Sequence, residues 1–530
     1  MTLLKIRPHA LALLVAALLP VATHAQSDTR SDVQRARDAA RAYRTSHEAT
    51  ILREFTDLLA MPNVASDRAA IRRNAEHLVG MLERRGIAAR IIESGDGFPA
   101  VFGELRVPGA TRTVALYAHF DGQPVDPANW VTPPWSPTLR DKALFDGGQP
   151  IAFPTADNAA PVDGNARIYA RSASDDKASI IAMLTGLDAL RAGGRQPTVN
   201  VKFFFEGEEE AGSQHLREIL ERHKALLMAD AWIFCDGPLY QNGRNQVLFG
   251  ARGVTELELT VYGPTRPLHS GHYGNWAPNP GMLLVNLIAS MRDDNGRIKI
   301  AGFYDDVRPI SASERKAIAA LPAIDSTLRA SLGFVHTEAH DARLAERIML
   351  PALNLRGIQV GAVREKSANV ISTEAHASFD IRLVPNETPE RVQQLVEAHL
   401  RTQGWYVTHD SVTMATRLSH PKVALAQWGH GYPASRVSLE LPFSKALLQA
   451  LSDGADQPPL AVPTIGGSGP TYVFEQVLGT KMLTLPIANY DNNQHAANEN
   501  IRIQALWNGI ELYAALMGRL GAYWADRPVP

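Results

Sequence analysis

The chain has 530 residues, 45% hydrophobic and 20% charged, which suits a globular protein with more than one core. Lys and Arg number 53 against 55 Asp and Glu, so no basic footprint points to nucleic acid or to an anionic membrane surface. Cys235 is the only cysteine, which excludes an internal disulfide and a cysteine-rich zinc site; a bound metal must be held by His, Asp and Glu.

In chain order, Lys5 and Arg7 precede an apolar run over residues 10–21, and Thr23 and Ala25 lie three and one positions before Gln26. That layout predicts a cleaved secretory signal peptide over residues 1–25; the run is shorter than the roughly 20 residues that a membrane span needs. The expectation is an exported, periplasmic protein with no stable membrane insertion after cleavage. Residues 32–60 and 67–86 read as helices, the second closed by Gly86. Strand-like runs follow at 88–92, 100–105 and 113–118, the last ending at His119. Residues 122–165, rich in Pro, Gly, Asp and Asn, read as a long loop of the kind that carries function. Ser174 is placed to cap a helix reaching about Arg191. A strand at 198–205, a helix at 214–223 and a strand at 231–235 come next. This alternation predicts an α/β domain with a doubly wound, mostly parallel sheet.

From Gly253 the texture changes. A strand at 255–262, a helix at 281–291, strands at 353–363 and 375–383, a helix opened by Thr388 and Pro389, and a strand at 405–412 give a ferredoxin-like α+β order. Residues 302–350 read as a mostly helical insertion within it. The α/β texture returns with a helix at 443–453, a loop at 463–470, a helix at 471–478, a strand at 481–487 and a closing helix at 501–519. The expected organisation is a signal peptide (1–25), a catalytic domain in two parts (26–252 and 420–530) and an inserted domain (253–419).

Five places with His or carboxylate side chains fall just after expected strands or at a helix start: His119, Asp175, Glu209 with Glu210, Asp236 and His495. Ligands bind at the carboxyl ends of strands in an open α/β sheet, so these distant segments are expected to share one cleft. Two imidazoles and several carboxylates suit a pair of divalent ions, with Zn2+ favoured by the ligand types and Mn2+ or Co2+ accepting the same set. An aspartate has two oxygens and can bridge two ions, whereas a histidine cannot. Asp121 falls on the same side of an extended strand as His119 and can orient its imidazole. Glu206, Glu208, Glu209 and Glu210 crowd together, a repulsive arrangement that nearby cations relieve. Adjacent glutamates also allow one to bind metal while the other takes a proton from water.

The order of six pieces carries a resemblance. They are Tyr117-Ala118-His119-Phe120-Asp121-Gly122, Ser174-Asp175-Asp176-Lys177, Phe205-Glu206-Gly207-Glu208-Glu209-Glu210, Leu268-His269-Ser270-Gly271, Arg382-Leu383-Val384-Pro385-Asn386 and His495-Ala496-Ala497-Asn498-Glu499. Together they resemble the co-catalytic di-zinc metallopeptidase family of carnosinase-like dipeptidases, carboxypeptidase G, aminoacylase and the acetylornithine and succinyl-diaminopimelate deacylases. The resemblance implies that His119 and Asp236 hold one ion, Glu210 and His495 the other, and that Asp175 bridges them. It implies Glu209 as general base and Asp121 as the partner of His119. It also implies a homodimer in which the inserted domain is a lid and dimerisation domain, with His269 reaching the partner subunit's site as an oxyanion donor. Arg382 is implied as the binder of the substrate's terminal carboxylate. Gly467 and Ser468 are implied as parts of a glycine-rich substrate loop, and Asn369 as a further substrate-loop residue. The chain departs from the family pattern at Ala170, Ser172 and Ala178, where glycines are usual, and in the loop that usually reads Gly-Gly-Ser-Ile-Pro, where Gly469 replaces the Ile; no implied ligand is lost.

The expected function is hydrolysis of the amide bond of a dipeptide or short peptide, with N-acyl amino acid deacylation as the alternative on the same site. The free α-amine of a dipeptide is expected to meet acidic residues in 122–165. A serine hydrolase is disfavoured because Pro470 stands where the Gly-x-Ser-x-Gly pattern around Ser468 needs its final glycine. A non-catalytic binding protein would have lost Glu209 or a ligand, and neither is lost.

Overall fold

The computed structural model describes residues 37–158, 160–340, 342–453 and 455–524; the expected signal peptide lies outside them. Eight strands form the larger sheet: β1 (Ala88–Glu93), β2 (Pro99–Leu105), β3 (Thr113–His119), β4 (Asn200–Glu206), β5 (Ala231–Phe234), β6 (Gln246–Leu248), β7 (Leu460–Val462) and β8 (Met482–Thr484). Their spatial order is β1-β2-β4-β3-β5-β8-β6-β7. The centre, β4-β3-β5-β8, is parallel, and so is β6-β7. The pairs β1-β2, β2-β4 and β8-β6 are antiparallel, so the sheet is mixed overall. The first of these is a hairpin closed by the short turn 94–98, which only antiparallel neighbours allow.

Strand β4 explains how the sheet is covered. Phe203 and Phe205 belong to a core with Ile180, Met183 and Trp507, while Phe204 belongs to another with Trp232 and Phe474. Successive side chains of a strand point to opposite faces, so an unbroken apolar run needs a core on each side. Helices Lys177–Ala192 and Ile503–Tyr523 cross one face in close contact. A Cβ on Gly186 would meet Ala514 N and Ile510 O at 3.0 Å, which is why glycine stands there. The first of these helices has Asp176 at its N-cap with no capping side chain. Ser174, expected as the cap, instead gives its hydroxyl proton to Glu499 at 2.9 Å. Nor is 122–165 all loop: Thr138–Arg140 pairs with Arg167–Tyr169, which pairs in turn with Asn500–Arg502.

A second, five-stranded sheet has the order Ala352–Gln359, Glu374–Leu383, Gly253–Tyr262, Val423–Trp428, Tyr406–Thr408. Leu257, Leu259, Phe379 and Ile381 share its core with Leu284 and Leu287 of helix Pro280–Met291 and with Val392 and Val396 of helix Pro389–Thr402. On the alternate positions Glu256 and Glu258 accept from Arg356 in the open. Helix Ala312–Ala320 packs against β7 of the larger sheet, and Leu321 after it is buried with Leu248, Leu460 and Val462. No helix among the described residues is long and apolar enough to cross a membrane.

Candidate metal centre

Strands β4, β3 and β5 are parallel neighbours, so their carboxyl ends lie along one edge. Strand β3 ends in His119, a single 3-10 turn just beyond β4 carries Glu209 and Glu210, and Asp236 lies two residues past β5. Asp175 comes from the loop before helix Lys177–Ala192, and His495 from the connection after β8.

All five expected ligands are brought together. His119, Asp175 and Asp236 place ligand atoms within 4.8 Å of one another, and Asp175, Glu210 and His495 do the same. Asp175 belongs to both trios: Oδ1 is 2.8 Å from His119 Nε2 and Oδ2 is 3.2 Å from His495 Nε2. His495 Nε2 is also 3.1 Å from Glu210 Oε2, and His119 Nε2 is 3.8 Å from Asp236 Oδ2.

The electrostatics fit cations at these trios. Asp236 Oδ1 is buried without a hydrogen-bond partner. Burial, and then repulsion from Asp175, pushes the Asp236 carboxyl up to about 8. Burial raises the Glu209 carboxyl too, reinforced by the carboxylates of Asp236, Asp175 and Glu210. Burial acts to lower the His119 pKa, but the carboxylates of Asp121 and Asp175 outweigh it and raise it. The protein thus gathers more negative charge here than its own donors neutralise, with imidazole nitrogens and carboxylate oxygens as the only ligand types. That is the donor set of a pair of divalent ions.

Two buried carboxylates shape this arrangement. Asp121 Oδ1 lies 3.3 Å from His119 Nδ1, as expected. Its oxygens also accept the N–H groups of Glu209 at 3.1 Å and Glu210 at 3.0 Å, so one carboxylate fixes both the imidazole and the turn. Glu499 accepts the N–H groups of Ser172, Ser174 and Asp175 at 3.0, 2.9 and 3.0 Å and Arg171 Nη1 at 2.7 Å, moulding the loop that presents Asp175. The sequence offered no signal for this role beyond the place of Glu499 at the end of the 495–499 piece. Gln123 and Gln494 were equally unforeseen: their amides donate to Glu210 Oε2 at 2.8 Å and Asp175 Oδ2 at 2.6 Å. The crowded glutamates separate by partner. Glu206 accepts from Tyr117 Oη at 2.6 Å and Glu208 from His215 N–H at 2.9 Å, which leaves Glu209 and Glu210 to the site.

A cavity of about 630 Å³ opens on Glu209, Asp236 and His495 and is bounded by Gly466, Gly467 and Ser468. Arg382 Nη1 donates to Ser468 Oγ at 2.9 Å, and its Nε to Asp380 Oδ2 at 2.7 Å. Arg252, which sequence reasoning missed, donates through Nε to Gly466 O and through its backbone N–H to Gly467 O, both at 3.0 Å. No described residue of 122–165 lines the cavity, so the acidic residues expected there to meet a substrate amine stand outside it. His269 and Asn369 are brought together with each other, not with the five ligands. Leu268–His269 pairs with Val370–Ile371, and Asn369 O accepts from Ser270 N–H at 2.9 Å. His269 is exposed, its Nδ1 accepting from Gly271 N–H at 3.1 Å.

Residues 115–519 match peptidase family M20/M25/M40. The chain is 25% identical over 488 residues to the Cys-Gly metallodipeptidase dug1 of Schizosaccharomyces pombe, covering 90% of this chain and 95% of that one. It is 26% identical over 427 residues to the Beta-Ala-His dipeptidase of Homo sapiens, covering 79% and 76%. Among solved structures it is similar to an M20 family metallo-carboxypeptidase from Sulfolobus solfataricus, with a TM-score of 0.69, 28% identity, and 89% of this chain and 99% of that chain covered. These relatives correct one expectation. The dug1 protein and its counterparts come from three yeasts, which have no bacterial periplasm, so the likeness carries no periplasmic destination and that placement is withdrawn. With three quarters of the sequence matched and a two-trio donor set at its centre, the chain belongs to peptidase family M20/M25/M40 and is a metallopeptidase.

Proposed function

We propose that the protein hydrolyses the amide bond of dipeptides or short peptides with two divalent cations, of which Zn2+ best suits the donor set. The observation that carries this reading is Asp175, one oxygen turned to each trio, with Glu209 unshared beside them on the cavity. Cations held by His119, Asp175 and Asp236, and by Asp175, Glu210 and His495, would polarise the scissile carbonyl and acidify a water. Glu209 is the general base. It belongs to neither trio, sits on the turn that Asp121 holds, and its burial raises its proton affinity. It can therefore take a proton from water and return it to the leaving amine.

Arg382 holds the substrate's terminal carboxylate beside the glycine-rich loop of Gly467 and Ser468, its guanidinium being steered there by Asp380. Residues 253–419 act as the lid and dimerisation domain of a homodimer, with Asn369 next to His269 on the surface that meets substrate. Because His269 Nδ1 accepts a hydrogen bond, its proton sits on Nε2, and the exposed ring can offer it to an oxyanion in the partner subunit. The relatives are named for Cys-Gly and Beta-Ala-His, both dipeptides, which favours peptide over N-acyl amino acid as substrate.

The test is metal analysis of the purified chain with hydrolysis of a panel of dipeptides and N-acetyl amino acids. Two bound ions and faster cleavage of dipeptides are expected. Preference for the N-acetyl compounds would overturn the peptide reading. Glu209→Gln is expected to keep its metal and lose roughly 10²–10⁴-fold in kcat; near-normal turnover per bound metal would remove the base assignment.

A further inference from the structure

One wall of the cavity takes no part in the chemistry above. Leu321, Ile324, Leu344 and Ile348 line it, with Leu248 and Val462 packed beside Leu321. The wall is pinned in place, in part by Arg343 and Asp325, which also line the cavity. Arg343 donates to the carbonyl oxygens of Ile318, Leu321 and Pro322 at 2.8, 3.0 and 3.0 Å, clamping the end of helix Ala312–Ala320. Asp325 accepts the N–H of Leu344 at 2.7 Å. Glu314, buried in the same helix, holds Arg308 at 2.6 Å and Arg436 at 3.0 Å. Leu321 is locked against β6 and β7 through Leu248, Leu460 and Val462. An apolar surface held open in this way beside reacting groups is suited to a bulky apolar group.

The position of Arg382 says which part of the substrate comes here. Arg382 is not among the residues that line the cavity; it meets the 466–469 loop at Ser468 Oγ, next to Gly469 and away from the residues of the wall in sequence. The substrate residue whose carboxylate it holds is therefore directed away from the wall, and the residue on the amine side is directed towards it. We propose that this wall is the side-chain pocket for the residue N-terminal to the cleaved bond, and that it selects large apolar side chains such as Leu, Met or Phe. The assignment of side rests on the dipeptidase reading above.

Binding and turnover separate the two. With metals loaded, Glu209→Gln is titrated by calorimetry with Leu-Gly, Phe-Gly, Gly-Gly and Asp-Gly. The expected result is at least about tenfold tighter binding of the first two, in line with what one or two buried methylenes discriminate. In the same background, Ile348→Asp is expected to reverse the order, so that Lys-Gly binds better than Leu-Gly. Leu344→Asp, at a position already 43% exposed, is the second variant and tolerates the charge without loss of fold. Equal binding of all four dipeptides, or an unchanged order in both metal-loaded variants, would overturn the pocket. Selective binding with no cleavage by the wild-type protein would sink the dipeptidase reading and sustain the pocket. Cleavage of every dipeptide at one rate would sink the pocket alone.

Discussion

At the scale of single residues, the site depends on carboxylates that need touch no substrate. Asp121 joins His119 to the turn of Glu209 and Glu210, and Glu499 joins the loop of Asp175 to buried Arg171. Neither oxygen of Glu499 can be exchanged for an amide nitrogen. Oε1 accepts two backbone N–H groups and the Ser174 hydroxyl, and Oε2 accepts Arg171 and the N–H of Ser172. Glu499→Gln therefore sets a donor against donors and leaves the guanidinium of Arg171 buried without its counter-charge. A loss of about 3–5 kcal/mol of stability is expected, measured by denaturant unfolding. Because the partners of metal ligands tune affinity, metal should also bind 10–100-fold more weakly, read by competition with a chelator. The activity per bound metal should change little. Unaltered metal affinity would show that Glu499 serves the fold and not the site.

At the scale of elements, the turn between strand Glu374–Leu383 and helix Pro389–Thr402 carries a buried acid, Glu387. Its Oε2 accepts the N–H of Val384 at 2.8 Å, while burial pushes its carboxyl up to about 7. The ordinary value is near 4.5, so between pH 4.5 and 7 the folded chain keeps a proton that the unfolded chain has lost. Stability then falls as pH rises through that window and is lowest above it. Glu387→Gln keeps an acceptor for Val384 and removes the titration. The variant and the wild type should match in unfolding midpoint near pH 4 and diverge by pH 8, where the variant gains up to about 3 kcal/mol. A constant difference across that range would contradict it. Elements also mark what a sequence reveals. The run 113–119 was legible as a strand ending in a ligand because an apolar core covers each of its two faces and leaves an unbroken apolar run, and Asp236 followed from the same logic after β5. The helix opening at Thr388 and Pro389 was legible because the side chain of Thr388 is used locally, accepting from Arg391 N–H. Ser174 misled because a distant residue, Glu499, claims its hydroxyl. The three-residue strand Thr138–Arg140 is too short to show a period. The docking of helix Ala312–Ala320 on β7 rests on contacts that leave no pattern in the residues nearby.

At the scale of the whole molecule, the proposed ligands lie at positions 119, 175, 210, 236 and 495, so closing the two trios ties the first part of the chain to the last. Without cations the carboxylates of Asp175, Glu210 and Asp236 share one edge of the sheet with Glu209, their repulsion opposed by the imidazoles, the amides of Gln123 and Gln494 and the backbone N–H of Gly237. Ions that bind the folded chain and not the unfolded one stabilise it by about 2.7 kcal/mol at a hundredfold excess over Kd and about 4.1 kcal/mol at a thousandfold. Chelation should therefore lower the thermal midpoint of the whole protein, and added Zn2+ should restore it. The ligands must give up their protons to bind, and Asp236 holds one up to about pH 8, so metal loading should release protons and the shift should shrink as pH falls. Asp175→Asn, which leaves both trios without their shared carboxylate, should abolish the metal-dependent shift. Arg382→Ala, which removes the proposed carboxylate contact together with the hydrogen bonds to Ser468 and Asp380 but touches neither trio, should leave that shift intact while raising KM. A metal-dependent midpoint that survives Asp175→Asn would mean that the ions stabilise the chain from somewhere other than these trios, and the two-ion reading would fall with it.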